Sequence, residues 1–295
     1  MGCVTPSVLA FSFPNPGGVG HVWFRNRFVQ PFQLRLERDT RFIPATIKDN
    51  SFTNPEYRFT LENLTGWQKR AWLEGDWDIA AGQYFTTFRR EFHVVDDFPD
   101  GRGVEWVAGF DYGFNHYTAA LLAAYDADRN LFIVDEHAAR GWVPDPHAEA
   151  IQAMCQRHGV TLNPRHRYSP ALSRFIAGRD LFTRQSNGLT IARQYADLGI
   201  SLRPDHSDRV NGWAAILRGF GDPAAGVKPT LFIHRRCTRL LETIPCLQHD
   251  PNRPEDVLKV DSDEDGLGGD DAADALRYLV ANQLPQIRMA KLRGL

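Results

Sequence analysis

The run 104–111, Val-Glu-Trp-Val-Ala-Gly-Phe-Asp, constrains the fold more than any other stretch. It is strand-length, largely apolar, and ends on a carboxylate. Two further apolar runs follow closely, 117–125 (YTAALLAAY) and 131–134, the second leading into Asp135 and Glu136. Short turns join the three runs, so an antiparallel meander is expected. The pattern then alternates. A helix is expected over 146–158, with Pro146 in its first turn and Gly159 just past its end. A fourth strand over 174–180 again ends on an acid, Asp180. Next come a helix over 190–198 closed by Gly199, a strand over 200–203 and a helix over 209–220. Residues 231–234 and 240–247 form lesser elements, and 270–283 forms an amphipathic helix. Strands in a run and then strand–helix alternation imply an α/β fold, a mixed β-sheet flanked by helices.

Upstream, residues 11–103 are rich in turns. Pro14-Asn15-Pro16-Gly17-Gly18 is a breaker cluster, and short helical stretches are expected over 21–28 and 56–73. Asp96 to Gly103 is polar, holds Pro99 and two Gly, and is the best linker candidate. With ~150 residues per domain as a guide, the 295-residue chain divides into 1–100 and 101–295. No apolar run approaches the ~18 residues of a membrane span, and no secretory signal pattern opens the chain. Pro6 stands where a myristoylation motif needs Ser or Thr. Cys3, Cys155, Cys237 and Cys246 show no C-x-x-C pairing, so neither a disulfide scaffold nor a structural zinc site is expected. These features point to a cytoplasmic protein.

The acids carry the chemistry. Asp111 and Asp180 end strands, while Asp270, Asp271 and Asp274 open the last helix. At 100° per residue these three fall within about a 100° arc, with Ala272, Leu276, Leu279 and Val280 on a separate one. The acids are therefore expected to point away from the packed side, towards the strand ends. Carboxylates are natural ligands of Mg²⁺ and Mn²⁺. A pair of such ions ~4 Å apart clamps the attacking and leaving oxygens of a phosphodiester displacement. Any one of these acids alone is more readily read as a turn former or a helix-dipole partner; the ordered combination is what points to a site. No H-x-x-x-H pair occurs on a helix, and no serine or cysteine nucleophile arrangement stands out.

Several segments together resemble the large terminase subunit of tailed bacteriophages. Phe13-Pro14-Asn15-Pro16-Gly17-Gly18-Val19-Gly20-His21-Val22-Trp23 is similar to a segment late in that family's ATPase domain. Asp49-Asn50, the block Leu73-Glu74-Gly75-Asp76-Trp77-Asp78 and Gly82-Gln83-Tyr84-Phe85 add to the likeness. Pro254-Glu255-Asp256-Val257 and the run from Asp271 to Tyr278 resemble the end of the family's nuclease domain. The resemblance implies a ribonuclease H-like fold over about residues 101–295, preceded by a small partial ATPase-domain segment. It also implies metal-dependent endonuclease cutting of concatemeric viral DNA during genome packaging in the bacterial host cytoplasm. Asp111, Asp180 and Asp274 would then be the ligands of Mg²⁺ or Mn²⁺, two ions, with Asp271 assisting. Many members carry His where Asp271 stands, so either Asp271 or Asp274 can be the principal helix ligand. Ser169 occupies another alignment of the middle acid, and Glu136 is read as a strand-end acid near the site. No G-x-x-x-x-G-K-[ST] occurs, so nucleotide binding and ATPase activity are not expected.

Partners follow from charge. Lys+Arg 34 against Asp+Glu 36 gives a net −2, but the distribution is uneven. From Arg157 to Arg193 seven Arg meet one acid, and Arg174, Arg179 and Arg184 are the candidate contacts to double-stranded DNA. From Asp250 to Asp274 ten acids meet Arg253 and Lys259, which suits a divalent ion. Portal protein and small terminase subunit are the further partners implied. An alternative reading is a catalytically silent remnant that docks on one of them. Arg277 and Tyr278 are expected to hold the last helix in place, and Trp67, Trp72 and Trp77 to serve packing.

Overall fold

A computed structural model describes residues 21–64, 69–78, 82–100, 103–162, 170–186, 188–264 and 266–282. The chain divides into two compact units, Met1–Ala81 and Gly82–Leu295. The segment 13–20, together with Trp67, Arg165, Arg167 and Ser169, lies outside the described residues.

In the first unit the helical stretch expected over 21–28 continues to Gln33. It runs as His21–Phe24, a wide π turn over Arg25–Val29, and Gln30–Gln33. The wide turn restarts the helix, so Pro31 falls in a first turn, where its missing N–H is not needed. Phe24 stacks on Trp77 with ring centres 4.9 Å apart, and Phe42 meets Trp77 edge-on. Arg25 is fully buried and forks onto Asp78 Oδ1 at 2.7 and 2.9 Å. Trp77 is thus a core residue, whereas Trp72 is 43% exposed. The second stretch begins as Pro55–Glu62, capped by the Asn54 side chain, and resumes as a wide turn over Lys69–Leu73.

The second unit holds a seven-stranded mixed sheet. Its strands are β1 (Val94–Val95), β2 (Glu105–Asp111), β3 (Tyr117–Tyr125), β4 (Leu131–Arg140), β5 (Leu172–Ala177), β6 (Arg203–Pro204) and β7 (Leu231–His234). They lie in the order β1-β7-β4-β3-β2-β5-β6. The β2–β3–β4 meander is antiparallel, and the outer pairings are parallel. β3 is apolar almost throughout because helices cover both faces. One face carries α1 (Pro144–Arg157) and α2 (Ile191–Asp197). The other carries α3 (Arg209–Phe220), α4 (Thr238–Thr243) and α5 (Asp271–Ala281). A hairpin of β8 (His249–Asp250) and β9 (Arg253–Val257), not foreseen, joins the second layer through buried Val257.

Alternation along β2 assigns the roles. Trp106, Ala108 and Phe110 face α1 and α2, while Val107 faces α3 and α5. Gly109 and Asp111 share the Val107 face, by the two-residue period of a strand. A Cβ at Gly109 would stand 2.1 Å from the Ala275 carbonyl oxygen, so only glycine lets α5 lie this close on β2.

Several boundaries differ from expectation for physical reasons. β4 runs on to Arg140 instead of stopping at Val134, because Asp135 and Glu136 find donors within the fold. β5 ends at Ala177, and Asp180 sits in the 3₁₀ turn Arg179–Phe182. Of the strand expected over 200–203 only Arg203 pairs, together with Pro204 beyond it, since Ile200 N–H is tied back to Tyr195 O. α5 is amphipathic in sequence as expected, but neither of its faces is free. Every residue from Asp271 to Leu279 is buried, acids included, because the sheet, α3 and α4 surround it. Asp96–Gly103, the linker candidate, connects β1 to β2 within one sheet. The division falls before Tyr84, Phe85 and Phe88, which belong to the core beside α3.

Candidate metal centre

Three elements bring the acids to one end of the sheet. β2 delivers Asp111 on the α5 face. Its parallel neighbour β5, registered with Phe110 opposite Ala177, delivers Asp180 one turn later. A Cβ at Gly178 would meet Asp180 Oδ1 at 2.6 Å and the Tyr278 hydroxyl at 3.1 Å, so strand end, turn and α5 converge there. α5 presents Asp270, Asp271 and Asp274 at its N-terminus, where the backbone dipole favours negative charge.

The electrostatics reflect this proximity. Asp111 is pushed well above the usual carboxylate range, first by burial and then by Asp274, Asp271, Asp180 and Asp270. Burial, with Asp274 next, pushes Asp270 up to about 7. Burial also raises Asp271, against the opposing charge of Arg239. The Tyr278 phenol is raised by burial and by Asp111 and Asp274, which keeps its O–H protonated beside the acids.

Arginines answer part of this charge. Arg277 Nε donates to Asp274 Oδ1 at 2.8 Å, and its Nη1 lies 3.7 Å from Asp205. Arg209 Nη1 reaches both oxygens of Asp274 at 3.3 Å. Yet Asp270 Oδ2 and Asp271 Oδ2 are buried without a hydrogen bond. Orphaned carboxylate oxygens among other acids are the donor set a hard divalent cation takes. The residues present fit such an ion. Among the described residues no three His, Cys, Asp or Glu side chains are grouped closely enough to enclose an ion without side-chain movement.

Three of the other sequence candidates, Glu136, Arg174 and Arg179, already have protein partners. Glu136 caps α4: its buried carboxylate accepts from Arg239 N at 2.5 Å, Leu240 N at 3.0 Å and Thr238 Oγ1 at 3.3 Å. Arg174 binds Glu105 at 2.9 Å, towards the opposite end of β2. Arg179 donates to the carbonyls of Asp205 and Ser207, while Arg184 is exposed on the turn beyond Asp180. Arg277 and Tyr278 hold α5 as expected. Reading the sequence missed Arg209 and Asp256, although a cation opening a helix opposes the helix dipole and was a usable signal.

Solved structures share this architecture. The P22 large terminase nuclease domain matches with a TM-score of 0.51 at 18% identity, over 67% of this chain and 90% of that one. The large terminase of a thermophilic bacteriophage, in complex with ADP, matches with a TM-score of 0.50 at 16% identity, over 92% of this chain. The fold is that of phage large terminases. No protein-family model and no curated protein matches the sequence. The chain spans 61% of the length of the thermophilic-phage terminase. Its mixed sheet with helices on both faces has the ribonuclease H-like fold, shared with the P22 nuclease domain.

Proposed function

We propose that the chain is a divalent-metal-dependent endonuclease of the large-terminase type, cutting double-stranded concatemeric DNA during genome packaging. The observation carrying this reading is the convergence of Asp111, Asp180 and the α5 acids, with two buried carboxylate oxygens that no hydrogen bond answers. In this reading Asp111, Asp180 and Asp274 hold Mg²⁺ or Mn²⁺, two ions, and Asp271 assists. The cations supply activation of water and neutralise charge building on the scissile phosphate.

The chain's own residues position the reaction. Asp111 stands at the end of a central strand, so its carboxylate has little freedom. Tyr278 keeps a protonated hydroxyl beside Gly178, available to a phosphate oxygen. Arg179 and Arg184 flank Asp180 on an exposed turn and are the arginines suited to the DNA backbone; Arg174 already answers Glu105. The first compact unit, ending at Ala81, is read as the end of an ATPase domain, and residues from Gly82 onward go with the nuclease fold. Portal protein and small terminase subunit are the proposed protein partners.

The test is Mn²⁺-dependent cleavage of supercoiled plasmid. Asp111→Asn is expected to reduce it to background while circular dichroism stays native, and full residual cleavage sinks the assignment. A second reading, a silent docking module, draws on the fact that Arg209 and Arg277 already pair with Asp274. It requires that calorimetry detect no Mn²⁺ uptake.

A further inference from the structure

Arg209 is the first residue of α3, where a positive charge opposes the helix dipole. It does not serve that end, which the Asp208 side chain caps by accepting from Asn211 N. Its guanidinium turns to the acids instead, with very unequal grip. Nε donates to Asp256 Oδ1 at 3.0 Å. That oxygen also accepts from Trp213 Nε1 at 3.0 Å and Val257 N at 2.8 Å, and the guanidinium lies 5.2 Å from the centre of the buried Trp213 ring. Asp256 is therefore a fixed anchor. On the cluster side the approaches are 3.3 Å to each oxygen of Asp274 and 3.6 Å to Asp270 Oδ2. A gripped charge-assisted pair closes to about 2.7–2.9 Å, as Arg277 does on Asp274 at 2.8 Å.

We propose that Arg209 is a resident counter-cation of the carboxylate cluster: anchored by Asp256, it offsets the charge of Asp270 and Asp274 and competes with a divalent ion for them. The proposal rests on the reading that the cluster binds divalent metal. Loose contact on one side and firm contact on the other mean that an ion can take Asp274 or Asp270 without dismantling the anchor. A guanidinium this close repels a doubly charged ion enough to change its affinity by roughly tenfold, even with strong screening. Arg209 is thus a positioning residue that sets how strongly the site holds metal.

Mn²⁺ titration calorimetry and thermal unfolding of the full chain test this, using Arg209→Met and Asp256→Asn. Arg209→Met is expected to bind Mn²⁺ about tenfold more tightly and to gain more in melting temperature on Mn²⁺ addition than the native chain. Asp256→Asn frees the guanidinium to close on Asp274 and is expected to weaken Mn²⁺ binding several-fold. A merely structural role, joining α3 to β9, lowers the melting temperature of both variants and leaves Mn²⁺ affinity unchanged; that result overturns the proposal. If Arg209→Met does not fold, unchanged affinity in Asp256→Asn is sufficient to overturn it. If all three proteins bind Mn²⁺ equally, only the role of Arg209 falls. If none binds it, the metal reading falls as well.

Discussion

Two regions of this sheet bury acids, and they treat them in opposite ways. On β4, Asp135 is 5% exposed and fully answered. It accepts from His158 Nε2 at 2.8 Å, from Arg157 at 3.0 and 3.2 Å, and from Glu136 N at 2.9 Å. Its neighbour Glu136 caps α4 with three donors. At the end of β2, Asp111 instead faces four other carboxylates, and Asp270 and Asp271 each keep a buried oxygen without a hydrogen bond. Burial is similar in the two places; the supply of donors and cations is not. An acid that the fold itself satisfies is structural. A cluster left short of positive charge is stable only at a cost, and that shortfall is what an external cation can relieve.

The comparison can be broken, beginning with the geometry that creates it. Gly109→Ala places a methyl 2.1 Å from the Ala275 carbonyl, a backbone atom that cannot rotate away. We expect a loss of about 3 kcal/mol or more in denaturant unfolding, accompanied by loss of Mn²⁺ binding as α5 is displaced. An unchanged midpoint would show that the helix does not depend on this close approach.

Matched neutralisations of single acids sharpen the contrast. Asp135→Asn removes a charge that is hydrogen-bonded and ion-paired, and is expected to destabilise by about 2 kcal/mol. Asp271→Asn relieves a buried, repelled carboxylate and is expected to stabilise the metal-free protein by about 1 kcal/mol. Mn²⁺ should cancel the advantage of Asp271→Asn. If both substitutions lower the melting temperature alike, the two regions do not differ in kind.

The smallest effect is the pH dependence. Burial pushes Asp270 up to about 7, and burial likewise pushes Glu136 up to about 7 despite its donors. A carboxyl with a raised folded pKa keeps its proton longer when folded than when unfolded. Its contribution to stability is therefore fully present below about pH 4 and is lost as pH rises through about 7. The metal-free melting temperature is expected to fall by several degrees across that window. Asp270→Asn should remove part of the slope. Mn²⁺ should remove the Asp270 part and leave that of Glu136, which lies in the satisfied region.

Much of the sheet is readable in local pattern. The apolar runs that form β2 and β3 match the structure almost to the residue, as does α3, because period and punctuation suffice for such elements. Local pattern cuts β4 short at Val134, because acids ordinarily end strands. What keeps it going are donors 22 to 104 positions away, from Arg157 to Leu240. The same pattern puts the α5 acids on a free face, since nothing local reveals that a second helix covers that side. The approximate place of Asp111, Asp180, Asp271 and Asp274 is legible from strand ends and a helix start. The part played by Arg209 is not, since it depends on Asp256 and Val257 reaching it from elsewhere in the fold.

By itself the sequence determined which residues are apolar at strand and helix periods, and where acids and glycines interrupt them. Those are short-range properties, and they specify the elements and the supply of charge. Only the tertiary structure decided which charges are answered. Ion pairing and desolvation depend on atoms within a few ångströms, and the fold alone sets which distant residues come that close. It gave Asp135 a histidine and an arginine, and it left Asp111 among its own kind.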